Sequence, residues 1–558
     1  MEEYVVSIQN REDLEQFYDD METPGGTETI PDREVECSNR RTISRNTEYI
    51  LTSEEAETLK NDERVLDVIP KSILDSMVIK PLWTQFSDDW NKDTEDVIAN
   101  TQKNWALYRC TTGSTVSNWG EDGLVRAVSG TVTTTSSGKN VDFVLVDGHL
   151  NPSHPEFSRN EDGTGGTRVI QYNWYKHTAE LGLGANGNYV YPTGASLLNA
   201  DDNHGMHVCG TVAGNTQGWA RDANIYNISP YTSNPNTLAW NYLFDYIRAW
   251  HNSKTVNPIT GRKNPTVLNN SWGSSYQFLK SSVSSITYRG TTYSGPFSDA
   301  QFNSYGIVDL DPFQTAYFYV NAYYIPYVLD IEDAVNDGII FVGAAGNEST
   351  RLDVEGGIDY NNYITYGGFP YYYHRGSYST AAARSGVGEQ RLSICVGSIS
   401  AKVLQLKNIF SNCGPRVDIY APGENIVSSL HSSGSSTFLV GDPRNSAFKL
   451  GKYQGTSMAS PQVCGVVACL LEQYPNMNQK DIEDYLKQHA TKNQIQFSGS
   501  GYTDYFALQG SENLYLFYKK ERLENGVSNP RTTYSARKSS ENGVKYPRIN
   551  MRFTKRST

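Results

Sequence analysis

The sequence predicts an α/β protein with a mostly parallel central sheet covered by helices, preceded by a small α+β, ferredoxin-like module. Three observations carry this. Between about Asn104 and Gln494, continuous apolar runs alternate with helical periodicity, the pattern of strands buried on both faces. Within the first seventy residues the signals run β-α-β-β-α-β, the split βαβ order. The chain, at 558 residues, is too long for one ordinary core.

In the first module, Tyr4–Ile8 reads as a strand. Leu14, Phe17, Tyr18 and Met21 recur at helical spacing within Arg11–Met21. Arg41–Leu51 reads as a strand pair turning at Arg45-Asn46. Thr52 and Glu55 form a capping-box pair ahead of a helix, and Val65–Ile69 is the last strand. Residues 71–103 have weak periodicity and read as a linker with local helix. In the second unit, 104–494, Val141–Val146, Thr266–Asn269, Ile339–Gly343 and Ile394–Val396 read as strands, and Val463–Leu471 as helix. Residues 275–330 read as a Tyr-rich insertion. Residues 495–558 read as a polar, basic extension, partly extended or mobile, with a short apolar run at Leu514–Tyr518.

Composition narrows the function. The net charge of −13 disfavours nucleic-acid binding. Acidic residues crowd the first hundred positions and basic ones the last forty; two solvated surfaces, or a tail that docks on an acidic partner, both account for this. No apolar run is long enough for a bilayer, so no membrane partner is expected. The acidic N-terminus lacks the pattern of an export signal, which favours an intracellular or virion-associated setting. The seven cysteines form no regular framework and no zinc-type pair, so thiols in a reducing compartment are expected. Cys209, Cys464 and Cys469 read as small buried hydrophobes.

Three segments carry chemistry together. VLVDGHLNPSHPEF places Asp147 at the end of an apolar strand. NHGMHVCGTVAG places His204 at the start of a helix. GTSMASPQVCG places Ser457 at a turn that opens another helix. In parallel α/β sheets such positions converge at the carboxyl edge. A serine hydroxyl needs a base to become a nucleophile. An imidazole serves near neutral pH, and a carboxylate on its far nitrogen fixes the tautomer. Alone, each residue has a plainer reading: a capping serine, a buried helix-start histidine, a strand-end turn. His207, one turn below His204, reads as packing, and His149 and His154 as loop residues.

These segments resemble the signature regions of the subtilisin-like serine proteases (peptidase family S8), in the chain order Asp, His, Ser. GTSMASP matches the serine segment in full. HGMHVCGT departs from the family's HGTHVAGT at Met206 and Cys209. The Asp segment departs more, because Gly148 and His149 follow Asp147 where the family has Ser or Thr and then Gly. The resemblance implies the family's three-layer fold and a serine endopeptidase acting on protein or peptide substrates, with no cofactor required for catalysis. FVGAAGNEST resembles the oxyanion segment and implies that Asn347 is its side-chain donor. LNNSWG resembles the strand that pairs with substrate. Ser271, Trp272 and Gly273, with Ala344, Ala345 and Gly346 opposite, are then expected to line a pocket for an apolar or aromatic side chain. Calcium is common in the family, and Asp201-Asp202-Asn203 offers oxygen ligands. The first module, with SEEAETLKNDERVLDVI, resembles the inhibitory prodomains of the family (inhibitor I9-like). It implies a self-inhibited precursor whose own prodomain is a partner and which cuts itself within 70–103. The rivals are an unrelated ferredoxin-like binding domain for the module, and for the whole chain a catalytically silent structural or interaction protein that keeps a protease fold.

Overall fold

The computed structural model describes residues 1–25, 30, 33–41, 43–75, 78–81, 104–113, 132, 134–183, 200–230, 242–307, 316–377, 392–401, 405–431, 439–496, 508 and 510–518. Residues 1–520 form one compact unit. Residues 521–558, most of the expected basic extension, lie outside the described residues, as do 82–103 of the expected linker.

The first module comprises β1 (Glu2–Ile8), α1 (Leu14–Glu22), β2 (Cys37–Arg40), β3 (Asn46–Leu51), α2 (Ser53–Leu59) and β4 (Val65–Pro70). Its antiparallel sheet has the order β2-β3-β1-β4, that of the split βαβ arrangement. Alternation along β1 divides its side chains between two cores. Tyr4, Val6 and Ile8 meet Leu14, Phe17, Tyr18 and Met21 of α1 and Leu59 of α2. Val5 faces the other way and joins the core of the large unit. Thr52 and Glu55 make the expected capping box. The β2–β3 turn is not at Arg45-Asn46 as expected but spans the residues between Arg40 and Asn46. Its arginines leave the module to meet carboxylates of the large unit, and this contact shapes the turn.

Next come α3 (Lys71–Asp75) and β5 (Val78–Pro81), then α4 (Trp105–Thr112), β6 (Asp142–Val146), β7 (Val169–Ile170), α5 (Ala200–Ala213), β8 (Asn224–Ile228) and α6 (Leu243–Ser253). They lead into β9 (Thr266–Asn270), β10 (Trp272–Leu279), β11 (Ser285–Tyr288), β12 (Thr291–Ser294), α7 (Asp299–Ser304), β13 (Tyr317–Asn321), α8 (Ile325–Asn336) and β14 (Ile339–Ala344). The chain continues as β15 (Tyr363–Tyr366), β16 (Phe369–Tyr372), β17 (Ile394–Ile399), β18 (Ile419–Pro422), β19 (Ile426–Leu430), β20 (Leu439–Asp442) and β21 (Asn445–Tyr453). It ends with α9 (Thr456–Gln473), α10 (Gln479–His489), β22 (Thr491–Lys492) and β23 (Leu514–Tyr515).

The central sheet has nine strands in the order β22-β23-β18-β17-β14-β9-β6-β8-β7. Every pair is parallel except β22–β23 at one edge. Side chains of β6 again divide by parity. Phe143 and Leu145 share a core with residues of α5, α9 and α10. Val144 and Val146 share one with residues of α6 and α8. Helix, sheet and helix thus form three layers, as expected.

Three sequence expectations need correction. The 275–330 insertion is cut differently. β10 pairs antiparallel with β13 across the intervening β11, β12 and α7, and β11 and β12 join β15 and β16 from farther along the chain in one small sheet. α8, which begins at Ile325, belongs instead to the main core through Tyr327, Val328, Ile331 and Ala334. The expected linker contains a strand, since β5 pairs antiparallel with β10. Leu514–Tyr518 is not part of a loose tail: β23 lies in the central sheet, and Leu516 and Tyr518 are in its core.

Candidate active site

Asp147 follows β6 at the carboxyl edge of the sheet and is fully buried. Its Oδ1 accepts the Gly148 N–H at 2.7 Å and lies 2.8 Å from Nδ1 of His204. The loop beyond is braced by Asn227, which accepts the Leu150 N–H and donates to the carbonyls of Leu145 and Gly148. His204 stands in the first turns of α5 and is also buried. The next residue, Gly205, passes so close that a Cβ there would lie 2.5 Å from the Gly148 oxygen. The Gly148–Gly205 approach therefore lets the aspartate and histidine meet.

Ser457 is the second residue of α9 and is buried. Its hydroxyl donates to the Ser271 carbonyl at 2.8 Å, and the Ser271 hydroxyl donates back to the Ser457 carbonyl at 2.9 Å. Asn269 donates to Ser271 and accepts from Ser460, each at 2.8 Å. This chain of bonds ties the start of α9 to the end of β9.

Asn347 lies just past β14. Its Oδ1 accepts both the backbone N–H and the hydroxyl of Thr456, each at 2.9 Å. Those bonds turn the amide so that Nδ2 is buried with no hydrogen-bond partner among the described residues. A buried donor without an acceptor is costly unless an acceptor arrives. The loop is held by Asn412, whose amide donates to Ala345 O at 2.8 Å and to Glu348 at 2.7 Å. Gly346 has φ of +104°, and a Cβ there would strike the Asn412 amide at 2.3 Å. Thr456, Asn269, Ser460 and Asn412 were not singled out from sequence. The first three stand inside or beside motifs already quoted, and that proximity was the available signal.

Of the expected pocket residues, Ser271, Trp272 and Gly273 directly continue β9, and Ala344, Ala345 and Gly346 continue β14. The register Asn270↔Gly343 brings the two segments to the same edge of the sheet. Trp272 needs correction. Its indole is fully buried in the core and donates to Val146 O at 2.6 Å, so it packs the sheet rather than lining a pocket.

The other three histidines weighed from the sequence, His207, His149 and His154, are buried. His207 stacks on Tyr453 with ring centroids 4.7 Å apart and meets Ile426 O at 2.8 Å. Burial lowers its pKa to about 3. Burial likewise lowers His149 to about 4. His154 accepts the Glu156 N–H and meets Lys449 O at 3.0 Å. Asp202 and Asn203, in the first turn of α5, brace neighbouring loops. Asp202 Oδ1 accepts the His149 N–H at 2.9 Å, and Asn203 Oδ1 the His431 N–H at 2.8 Å. Among the described residues no group of three His, Cys, Asp or Glu side chains gathers as for a metal. Burial raises Cys110 and Cys469 to about 12, consistent with inert thiols. No described helix is long and apolar enough to cross a membrane.

A model of the subtilase family matches residues 138–503, more than half of the chain. The protein therefore belongs to the subtilase family of serine peptidases. It is similar to alkaline protease 1 of Aspergillus flavus, 22% identical over 418 residues, covering 73% of each chain. It is also similar to subtilisin-like protease 3 of Arthroderma otae, 36% identical over 119 residues, covering 20% of this chain and 25% of that relative. The chain thus matches about a quarter of that relative's length. Among solved structures, fervidolysin from Fervidobacterium pennivorans, a keratinolytic enzyme related to subtilisin, aligns with a TM-score of 0.45 at 17% identity, covering 92% of this chain and 60% of that one. A cold-adapted subtilisin-like serine proteinase aligns at 0.40 and 18% identity, covering 75% and 98%.

Proposed function

We propose that the protein is a serine endopeptidase that works through an acyl-enzyme and is made as a self-inhibited precursor. The buried 2.8 Å contact between His204 Nδ1 and Asp147 Oδ1 carries this reading. It commits Nδ1 to the carboxylate and leaves Nε2 the role of base. Ser457, rotating from the Ser271 carbonyl, passes its proton to Nε2 as Oγ attacks the substrate carbonyl. His204 then returns the proton to the leaving amine, and water repeats the sequence to release the acid. The Asn347 amide and the Ser457 N–H hold the oxyanion, which supplies the acceptor that Nδ2 lacks.

In this reading residues 1–70 are an inhibitory prodomain. Two features support it. β5, just beyond the module, lies along the strand that starts at Trp272, where substrate backbone would pair. The module also docks through buried charges. Arg41 bonds Asp245 of α6 and Asp330 of α8, each at 2.9 Å. Arg45 bonds Glu332 and Asp333 of α8. Protein or peptide substrates and the prodomain are then the partners, and catalysis needs no cofactor. Incubating the purified chain with a peptide library, against Ser457→Ala, tests the reading. Cleavage by the parent alone is expected; equal cleavage by both would overturn it.

A further inference from the structure

We infer that Asn412 is a positioning residue for the oxyanion donor: it fixes the turn that carries Asn347, and turnover depends on it through Asn347. This rests on the proposed protease reading and deepens it by one residue, from a segment far along the chain.

The turn from Ala345 to Thr350 is not one the backbone adopts unaided. Gly346 has φ of +104° and Ser349 φ of +54°, so left-handed residues stand on both sides of Asn347. The Ser349 side chain makes that conformation costly, and such strain persists only where the surroundings over-determine it. Asn412 supplies much of that constraint. Its amide donates to Ala345 O at 2.8 Å and to Glu348 Oε2 at 2.7 Å. Its oxygen accepts the Thr350 N–H at 2.8 Å and the Glu348 N–H at 3.2 Å. Two oxygens meet one end of the amide and two N–H groups the other, so only one orientation satisfies both. The Asn412 N–H adds a bond to Gly346 O at 2.9 Å, and the Ser349 N–H bonds Phe410 O at 2.9 Å.

Asn412 is itself buried and held from behind. Lys407, also buried, donates from Nζ to Asn408 O at 2.9 Å and to Ser411 O at 2.8 Å. Ser411 Oγ accepts the Ser398 N–H of β17 at 2.9 Å. Contacts thus run from β17 through Asn412 to the turn, while Thr456 of α9 holds Asn347 Oδ1. The two anchors have different tasks. Asn412 sets where the turn stands, and Thr456 sets how the Asn347 amide is rotated. A reacting group misplaced by about 1 Å can lose about 100-fold in rate. Losing Asn412 leaves the Thr456 bonds in place, so its effect is smaller than losing Asn347 itself.

A double-mutant cycle on a peptide substrate tests this, using the parent, Asn412→Ala, Asn347→Ala and the double variant. Concentrations are set by fluorophosphonate titration to completion, which counts competent sites. Asn412→Ala should lower kcat at least about tenfold with KM changed less than about twofold, because the displaced donor matters mainly in the transition state. In the Asn347→Ala background the same substitution should lower kcat less than about twofold further, since no amide is left to position. Asn412→Asp keeps the size and the accepting oxygen but turns a carboxylate on Ala345 O and Glu348. It should behave as Asn412→Ala does, and it carries the cycle if the alanine variant does not fold. A merely stabilising contact would lower the thermal midpoint and the number of competent sites, not kcat per site. Full kcat per site in the Asn412 variants, or an equal loss with and without the Asn347 amide, overturns the assignment while the protease reading stands. An Asn347→Ala enzyme as active as the parent would overturn the donor role and this inference with it. No cleavage by the parent would defeat the protease reading as well.

Discussion

At the residue scale the site depends on side chains that orient others. In the proposed mechanism Asn347 depends on Thr456, which holds its oxygen and leaves Nδ2 without a partner among the described residues. Asn347→Ala should lower turnover about 100- to 1,000-fold with little change in KM, since the donor is needed mainly in the transition state. Steady-state kinetics on a peptide substrate check this. His207 gives a pH prediction. In the unfolded chain it binds a proton near its ordinary value, whereas in the fold burial holds it to about 3. Its neutral form is therefore stabilising above about pH 6.5, and the benefit is lost as pH falls toward the folded value. Each depressed unit is worth about 1.4 kcal/mol. Asp67 and Asp245, both raised to about 6 by burial, act with the opposite sign over the same range, so the parent curve alone is not diagnostic. The unfolding free-energy gap between the parent and His207→Gln, both in a Ser457→Ala background, should shrink between pH 7 and pH 4. A constant gap would contradict the assignment.

At the element scale, the sequence was legible where neighbours in the chain act together. Asp147, His204 and Ser457 each stand in a dense run of small and polar residues, and each run builds one strand end or helix start. The β-α-β-β-α-β order and the Thr52–Glu55 cap are also local. Legibility failed where the outcome depends on a partner far away. Trp272 is close to Ser457 in space, yet strand parity turns its indole into the core, and parity is set by β10 pairing across the sheet. β5 is short, and its strand character comes from β10, about two hundred residues later. β23 likewise gains its place from β18 and β22. The β10 pairing makes a prediction of its own. Ser274 gives its carbonyl to Ala322 on the β13 side, so Ser275 faces β5 opposite Val78. Ser275→Pro removes an N–H on that side and should raise the rate at which the N-terminal fragment of a processed chain dissociates by at least about tenfold. Surface-captured fragment would show this by its decay; an unchanged rate would mean that β5 contributes nothing to docking.

At the scale of the whole molecule, the N-terminal module and the large unit are joined by buried charge. Arg41 and Arg45 enter a cluster formed by Asp245, Asp330, Glu332 and Asp333, with Arg248 of α6 also bonding Asp333 and Asp337. Such a cluster contributes less to net stability than to fixing one docking geometry, but removing one partner strands the others. Arg41→Ala should weaken docking of the module by about 3–5 kcal/mol. Isothermal titration of separate module into processed large unit reads this directly, and a loss under 1 kcal/mol would mean that the cluster is not a docking element.

All of this depends on Ser457 being activated by His204, which Asp147 orients. The most direct measurement is peptide mapping after treatment with a fluorophosphonate, which reacts only with an activated serine. A single adduct on Ser457, abolished in His204→Ala and strongly slowed in Asp147→Asn, is the predicted result. Equal labelling of Ser457 with and without the imidazole, or no labelling of a folded, processed chain, would contradict it.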